Sequence, residues 1–164
     1  MNFNNFTIKS QEAVQQAIQL VQSRGQQAIE AEHLLAGVLK VGENVTNFLF
    51  QKLGLNGLQI NNVLDKQISS LPKVTGGDPY LSRTANEVLQ KAVELSKSLG
   101  DEYVSLEAML LALLNVKSTV ATILKDAGMN EKDLRAAIEE LRQGQKVTSQ
   151  SKAVNMLVKQ QSLL

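Results

Sequence analysis

The sequence contains no cysteine and no tryptophan, and only two of its 164 residues are proline. Without cysteine the chain can form neither a disulfide scaffold nor a thiolate metal site, and it has no cysteine nucleophile. The absence fits a reducing compartment, and we expect the cytoplasm. Lysine and arginine total 17 against 16 aspartate and glutamate residues, a net charge of +1. This balance predicts no nucleic-acid partner and no attraction to an anionic membrane.

Residues that carry catalysis are also scarce. The one histidine, His33, does not belong to an H-E-x-x-H motif, and the chain has no G-x-x-x-x-G-K-[ST] phosphate loop and no G-x-S-x-G elbow. We therefore predict no catalytic residue, no metal and no cofactor in this chain, and a structural role for His33 at the start of a helix. No segment reaches the length needed to span a bilayer, so we expect no membrane partner.

What the sequence does contain is an internal repeat. The shift that aligns Gly25 with Gly100 also aligns the stretch 7–39 with the stretch 82–114. Recurrence of core, turn and cap positions together indicates a duplication. The identical pairs under this shift are Glu12/Glu87, Gln15/Gln90, Ala17/Ala92, Leu20/Leu95, Ser23/Ser98, Gly25/Gly100, Glu32/Glu107, Leu35/Leu110 and Leu39/Leu114.

Apolar residues at helical spacing, separated by glycines, predict four helices in each copy. The predicted helices cover about 7–24, 31–41, 44–53 and 56–71, and then 82–99, 105–116, 118–127 and 130–143. No alternating pattern is long enough to predict a strand. We therefore expect an all-α fold of two pseudo-twofold four-helix repeats, about 7–71 and 82–144, joined by a linker at 72–81 that contains both prolines. The polar residues from 145 predict a flexible linker or foreign tail to 164, with an apolar stretch at 153–164 that suits a short helix.

Symmetry predicts a groove where the copies meet, lined by the first and second helices of each half. One apolar stripe on the fifth helix is wider than a single packing face needs, and it comprises Val88, Leu89, Ala92, Val93, Leu95 and Leu99. Part of it can line such a groove, but we favour the interpretation that the helix is buried on two sides in the bundle. Glu32 and Glu107 occupy equivalent places, where each can stabilise the first turn of its helix or form one of two symmetric acidic groups. Phe48 and Phe50 are two residues apart on a helix and cannot share a face, so one can form a surface contact, although aromatic residues at helical spacing are usually in the core.

Four motifs together resemble the double N-terminal domain of the Clp family. They are F-T-I-K-S-Q-E-A (6–13), E-A-E-H-L-L-A-G-V-L (30–39), L-P-K-V-T-G-G (71–77) and G-D-E-Y-V-S-L-E (100–107). The linker motif resembles most the ClpB-type AAA+ disaggregases and less the ClpA and ClpC types. The resemblance covers residues 3 to about 144.

The resemblance implies eight helices in two repeats and a non-catalytic domain that binds unfolded or aggregated polypeptide and helps deliver it to an ATP-driven threading ring. ATP binding, the homohexamer and cooperation with a DnaK-type chaperone system would belong to the full-length protein. The substrate-binding positions carried over are Thr7, Asp101 and Glu107, with Leu95 in the apolar lining. Asp101 and Glu107 lead us to expect a preference for clients with basic residues beside apolar ones.

Two other functions stay open at this point. One is a ClpC- or ClpA-like domain that docks adaptors or phosphoarginine-marked proteins, for which acidic pockets containing Glu32 and Glu107 in both repeats are expected. The other is a small helical enzyme, which the lack of a nucleophile, base or metal constellation makes remote.

Overall fold

The computed structural model of the protein describes residues 2–151. The helices within these residues are α1 (Ile8–Ser23), α2 (Ala31–Val41), α3 (Glu43–Leu53), α4 (Gly57–Ser69), α5 (Arg83–Ser98), α6 (Leu106–Asn115), α7 (Thr119–Asp126) and α8 (Glu131–Arg142). The predicted all-α fold is confirmed, with helix bounds within one or two residues of those expected from the sequence.

Side-chain caps explain why the helix starts could be predicted. The residue before the helix accepts a hydrogen bond from a backbone N–H in the first turn, which satisfies a donor that has no partner inside the helix. These capping residues are Thr7, Asn56, Ser82, Ser105, Ser118 and Asn130. At the other end of α3, Gly54 adopts the left-handed conformation, with φ of 69°, that ends a helix without strain.

Short backbone pairings join each repeat to the other. Strand β1 (Ala28–Ile29) pairs in parallel with strand β2 (Tyr80–Leu81), and Phe6 forms an isolated bridge with Val104. The Ser82 N–H donates to the Ile29 carbonyl and the Thr7 N–H donates to the Val104 carbonyl, both at 3.0 Å. Under the shift that relates the repeats, these two bonds are equivalent, so the start of each repeat pairs with the loop of its partner. This pattern is the pseudo-twofold arrangement predicted from the duplication.

The two most apolar helices, α2 and α6, form the centre of the core. The α6 residues from Leu106 to Leu114 are all buried, and α2 contacts α6 directly. Helices α1 and α2 approach so closely that a Cβ on Gly37 would lie 2.1 Å from the Ala13 carbonyl oxygen. The stripe along α5 belongs to the core, as the favoured interpretation predicted. Val93 is partly buried, and the buried members are Val88, Leu89, Ala92, Leu95 and Leu99. Phe50 is buried, whereas Phe48 is partly buried beneath the Lys52 ammonium.

Residues 145–150 differ from the flexible tail that their polar composition predicts. They lie against the helical body, and the Val147 side chain is completely buried. Backbone hydrogen bonds from Glu102, in the loop before α6, and from Ile8, at the start of α1, hold this stretch in place. Such bonds do not depend on side-chain type, so composition did not reveal them. The predicted short helix at 153–164 lies outside the described residues.

No single helix within residues 2–151 is long and apolar enough to cross a membrane; α6 and α7 pass that test only when taken together, across a bend of 98°.

Candidate functional site

The most concentrated charge in the interior is a cluster around Arg142, the last residue of α8. Its guanidinium donates from Nη1 to Asp101 Oδ1, from Nε to Glu107 Oε2 and from Nη2 to Ser105 Oγ, each at 2.9 Å. Nη2 also lies 2.9 Å from Asp101 Oδ2, an ion-pair contact without hydrogen-bond geometry. Asp101 and Glu107, which the resemblance to the Clp family implied as substrate-binding residues, are therefore brought together by one arginine.

Burial and charge act against each other in this cluster. Burial disfavours the Arg142 charge, but the Glu107 and Asp101 carboxylates outweigh it, so the pKa of Arg142 is raised above its ordinary value. The guanidinium stays charged and fixes both carboxylates through directed hydrogen bonds. The cluster thus places two acidic side chains on one basic side chain.

Thr7 lies at what we call the α1–α6 junction, formed by residues 4–8 before and at the start of α1 and residues 100–105 before α6. The Thr7 hydroxyl accepts from the Ser10 N–H and donates to the Ser10 Oγ, while its N–H donates to the Val104 carbonyl. The Val104 N–H in turn donates to the Asn5 carbonyl at 2.8 Å. Thr7 is completely buried, so its side chain serves as a helix cap in this structure.

Residues 145–150, which we call the docked segment, run in an irregular conformation across the α1–α6 junction. The Val147 N–H donates to Asp101 Oδ1 at 3.0 Å, and the Val147 carbonyl accepts from the Glu102 N–H at 2.8 Å. Farther along, the Gln150 carbonyl accepts from the Ile8 N–H at 3.1 Å. The docked segment thus uses backbone groups from both sides of the junction and one carboxylate of the buried cluster.

The first repeat holds a different cluster at the equivalent place. His33 Nδ1 accepts from the Glu30 N–H at 2.9 Å, so Nε2 carries the proton that is donated to Gln26 Oε1 at 2.7 Å. Burial, helped by the positive charge of Arg24, lowers the pKa of His33 to about 4, so the ring is neutral near pH 7. The structural role predicted for His33 is confirmed.

Glu32, the first-repeat counterpart of Glu107, is also buried. It accepts a hydrogen bond from the Gln67 Nε2 at 3.2 Å instead of pairing with an arginine. The two glutamates therefore share a place in the repeat but not an ionic environment.

Leu95 lies apart from the other predicted substrate-binding residues, in the last turn of α5, where it packs in the core and is 7% exposed. A role for Thr7, Leu95, Asp101 and Glu107 in substrate binding stays a prediction. Sequence reasoning missed Arg142 and Val147. Arg142 follows Ile138 by four residues on the buried face of α8, and a charged residue on such a face was the available signal.

Three open cavities lie away from the α1–α6 junction. One of about 420 Å³ lies between α1, α2 and α4 of the first repeat, and one of about 730 Å³ lies between α2, α3 and α4. Another, of about 290 Å³, lies between α4 and α7, where the repeats meet. The groove predicted from the sequence was to be lined by the first two helices of both repeats. None of these three cavities has that lining. Among residues 2–151, no group of three or more histidine, aspartate or glutamate side chains is placed to hold a metal ion.

Comparison with known proteins decides the family. The family model for the Clp repeat N-terminal domain matches residues 5–127. The chain belongs to this family. It is 75% identical over 155 residues, 94% of its length, to the chaperone protein ClpB of Bacteroides thetaiotaomicron, and it spans 18% of that relative. The predicted kinship with ClpB-type N-terminal domains is thereby confirmed.

Solved structures of Clp N-terminal domains share the fold. The Hsp104 N-terminal domain from Candida albicans matches with a TM-score of 0.78 at 23% identity, over 90% of this chain and 97% of that one. A structure described as a complex of the ClpV N-domain with a VipB peptide matches with a TM-score of 0.69 at 23% identity, over 84% and 86% of the two chains.

Proposed function

We propose that the chain is the non-catalytic N-terminal domain of a ClpB-type chaperone, which binds unfolded or aggregated polypeptide at the α1–α6 junction and helps deliver it to the ATP-driven threading ring. ATP hydrolysis, the homohexamer and a DnaK-type partner system belong, in this proposal, to the parts of the full-length protein outside this chain. The similarity to ClpB and the peptide complex of a ClpV N-domain both support polypeptide as the partner.

The observation that carries the proposal is the way in which the junction holds the docked segment. The contacts are two backbone N–H donors, Glu102 and Ile8, one carboxylate acceptor, Asp101, and an enclosed space filled by an aliphatic side chain. Backbone contacts are available from any extended polypeptide, and a single apolar contact adds affinity with little sequence preference. A chaperone that handles many clients needs such a surface.

An apolar side chain beside these donors extends the surface. Ile8 is 48% exposed at the junction, whereas most large apolar residues of the described chain are buried. Ordering an unfolded client opposes binding, so a small contact area predicts modest affinity.

The phosphoarginine-reading alternative is less favoured by the geometry. A reader of this kind needs acidic groups free to receive a guanidinium. In the second repeat that place is filled, because the Arg142 guanidinium already occupies both Asp101 and Glu107. In the first repeat Glu32 is buried against Gln67.

The proposal is tested by titrating the isotope-labelled chain with unfolded casein and, separately, with free phosphoarginine, while following backbone amide shifts. We expect casein to shift amides of residues 4–8 and 100–107, and phosphoarginine to shift none of them. Casein-induced shifts confined to the α1–α2–α4 cavity, or phosphoarginine shifts around Glu32 and Glu107, would contradict the proposal.

A matched pair of surface variants adds an energetic test. Ile8→Ser removes the exposed aliphatic group at the junction and should weaken casein binding about threefold or more, since an apolar contact of this size contributes roughly 1 kcal/mol. Val63→Ser, at a similarly exposed position on α4, is the control and should leave the affinity unchanged. Equal losses in both variants would mean that client binding is not centred on the junction.

A further inference from the structure

The junction that would receive a client is already occupied by the chain itself. The docked segment contributes the Val147 side chain, completely buried, and a backbone N–H that lies on Asp101. The Val147 carbonyl accepts a hydrogen bond from the Glu102 N–H, and the Gln150 carbonyl accepts one from the Ile8 N–H. Each group that could recognise an extended polypeptide therefore has an internal partner.

The position of the segment along the chain makes it a tethered competitor. It starts three residues after Arg142, so its local concentration at the junction is set by a very short connection. A Cβ on Gly100 would come within 3.3 Å of Lys146 Cε, so the segment passes close to the loop before α6.

Val147 and Gln150 form hydrogen bonds between the segment and the α1–α6 junction, and Lys146 adds an exposed ion pair with Glu139 at 3.9 Å. Residues 145, 146, 148 and 149 are exposed, and Val147 is the single fully buried side chain among residues 145–150. The Gln150 amide adds a hydrogen bond to the Asn4 carbonyl at 2.8 Å. A segment with one buried side chain and largely exposed neighbours opens at low free-energy cost relative to the helical core.

From these observations we infer that residues 145–150 are an autoinhibitory occupant of the α1–α6 junction, and that a client binds by displacing them. The inference rests on the proposed function and specifies its ligand. The client is an extended polypeptide with a small aliphatic side chain at the place of Val147, an N–H for Asp101 and a carbonyl for Glu102. The observed client affinity is the intrinsic affinity reduced by the fraction of molecules in which the segment has left.

The test compares the whole 164-residue chain with Val147→Asp and with Val74→Asp. Val147→Asp would bury a new carboxylate one hydrogen bond away from Asp101, so the segment should leave the junction. Val74 lies in a comparable place after the fourth helix of the first repeat but is 47% exposed, so the same substitution there is a control for added charge. Val147→Ala, which adds no charge, should act in the same direction by a smaller factor.

Amide hydrogen exchange reports release of the segment. We expect exchange at Glu102 and Ile8 to accelerate at least tenfold in Val147→Asp, because their acceptors belong to the segment. Exchange at Thr7, whose acceptor is Val104, should change less. Unchanged exchange at Glu102 and Ile8 would overturn the inference, since Val147 would then not retain the segment.

Measurements of casein affinity test whether a client binds by displacing the docked segment. Casein should bind Val147→Asp at least threefold more tightly than it binds the unsubstituted chain or Val74→Asp. A synthetic peptide with the sequence of residues 145–151 should then compete with casein. Equal casein affinities in all three chains, with exchange accelerated, would overturn the inference and leave the proposed function intact. Absence of casein binding to every chain would overturn the proposed function itself.

Discussion

Arg142 is the cation that pairs with two buried acidic side chains in the second repeat. Its side chain is 1% exposed, and it bonds to Asp101, Glu107 and Ser105. Together these contacts tie the end of α8 to the loop before α6 and to the first turn of α6 itself.

Replacement of Arg142 by alanine should lower the free energy of unfolding by about 3–5 kcal/mol, since it leaves Asp101 and Glu107 buried without a counter-charge. Urea unfolding followed by circular dichroism measures the change. Arg135→Ala is the control, because Arg135 forms an exposed ion pair with Glu131 and should change stability by less than about 1 kcal/mol. Similar losses of unfolding free energy in the two variants would show that the buried cluster stabilises the protein no more than an exposed ion pair does.

His33 gives the first repeat a defined dependence on pH. The folded chain holds the ring neutral, with a pKa of about 4, whereas the unfolded chain protonates near 6.5. The unfolded state therefore binds more protons between these values, so this stabilisation is complete above pH 6.5 and is lost as the pH falls toward 4. The full loss is roughly 3 kcal/mol.

The His33→Gln variant isolates this effect from the titration of carboxylates. Glutamine does not titrate and can accept the Glu30 N–H at the same helix position. We expect the urea midpoint of the unsubstituted chain to fall more steeply than that of the variant between pH 6.5 and 4. Parallel curves would mean that folding does not lower the pKa of His33.

At the scale of helices and strands, the sequence predicted starts and ends but not pairings between distant residues. Capping residues such as Thr7 and Ser82 act within a few residues of the helix they begin, so a local pattern reveals them. Strand β1 has two residues and pairs with β2 some fifty residues later, which leaves no alternation to detect. The bonds of Arg142 and Val147 to Asp101 were missed for the same reason, since both depend on long-range folding.

The crossing of α1 and α2 at Gly37 provides a test in which the sign of the change is informative. Helix propensity alone predicts that Gly37→Ala stabilises the protein by about 1 kcal/mol. The new Cβ would lie 2.1 Å from the Ala13 oxygen, so the helices must separate, and we expect destabilisation by about 3 kcal/mol instead.

The control is the equivalent position of the second repeat, which is already alanine. Ala112→Gly should cost only about 1–2 kcal/mol, from propensity and one lost methyl group. Thermal or urea unfolding measures both variants. A more stable Gly37→Ala protein would contradict the close approach of α1 and α2.

At the scale of the whole molecule, the two repeats hold each other by more than the chain that links them. Helices α3 and α8, α4 and α7, and α2 and α6 pack across the boundary, in addition to the exchanged pairings of Ile29 with Leu81 and of Phe6 with Val104. The linker around Lys73 is exposed and contributes little to this contact.

Limited trypsin cleavage after Lys73 should therefore leave the two halves associated. We expect the nicked protein to elute from a size-exclusion column at the volume of the intact chain, with two bands under denaturing conditions. The halves should separate in urea. Elution as two small species without denaturant would show that the repeats are independent units.

The exchanged pairings also set an order of events during synthesis. Val104 emerges from the ribosome about a hundred residues after its partner Phe6, and Leu81 emerges about fifty residues after its partner Ile29. Until α6 is made, α2 is covered by helices of its own repeat but lacks its contact with α6. The speed of translation through the second repeat therefore determines how long the nascent first repeat remains exposed to aggregation.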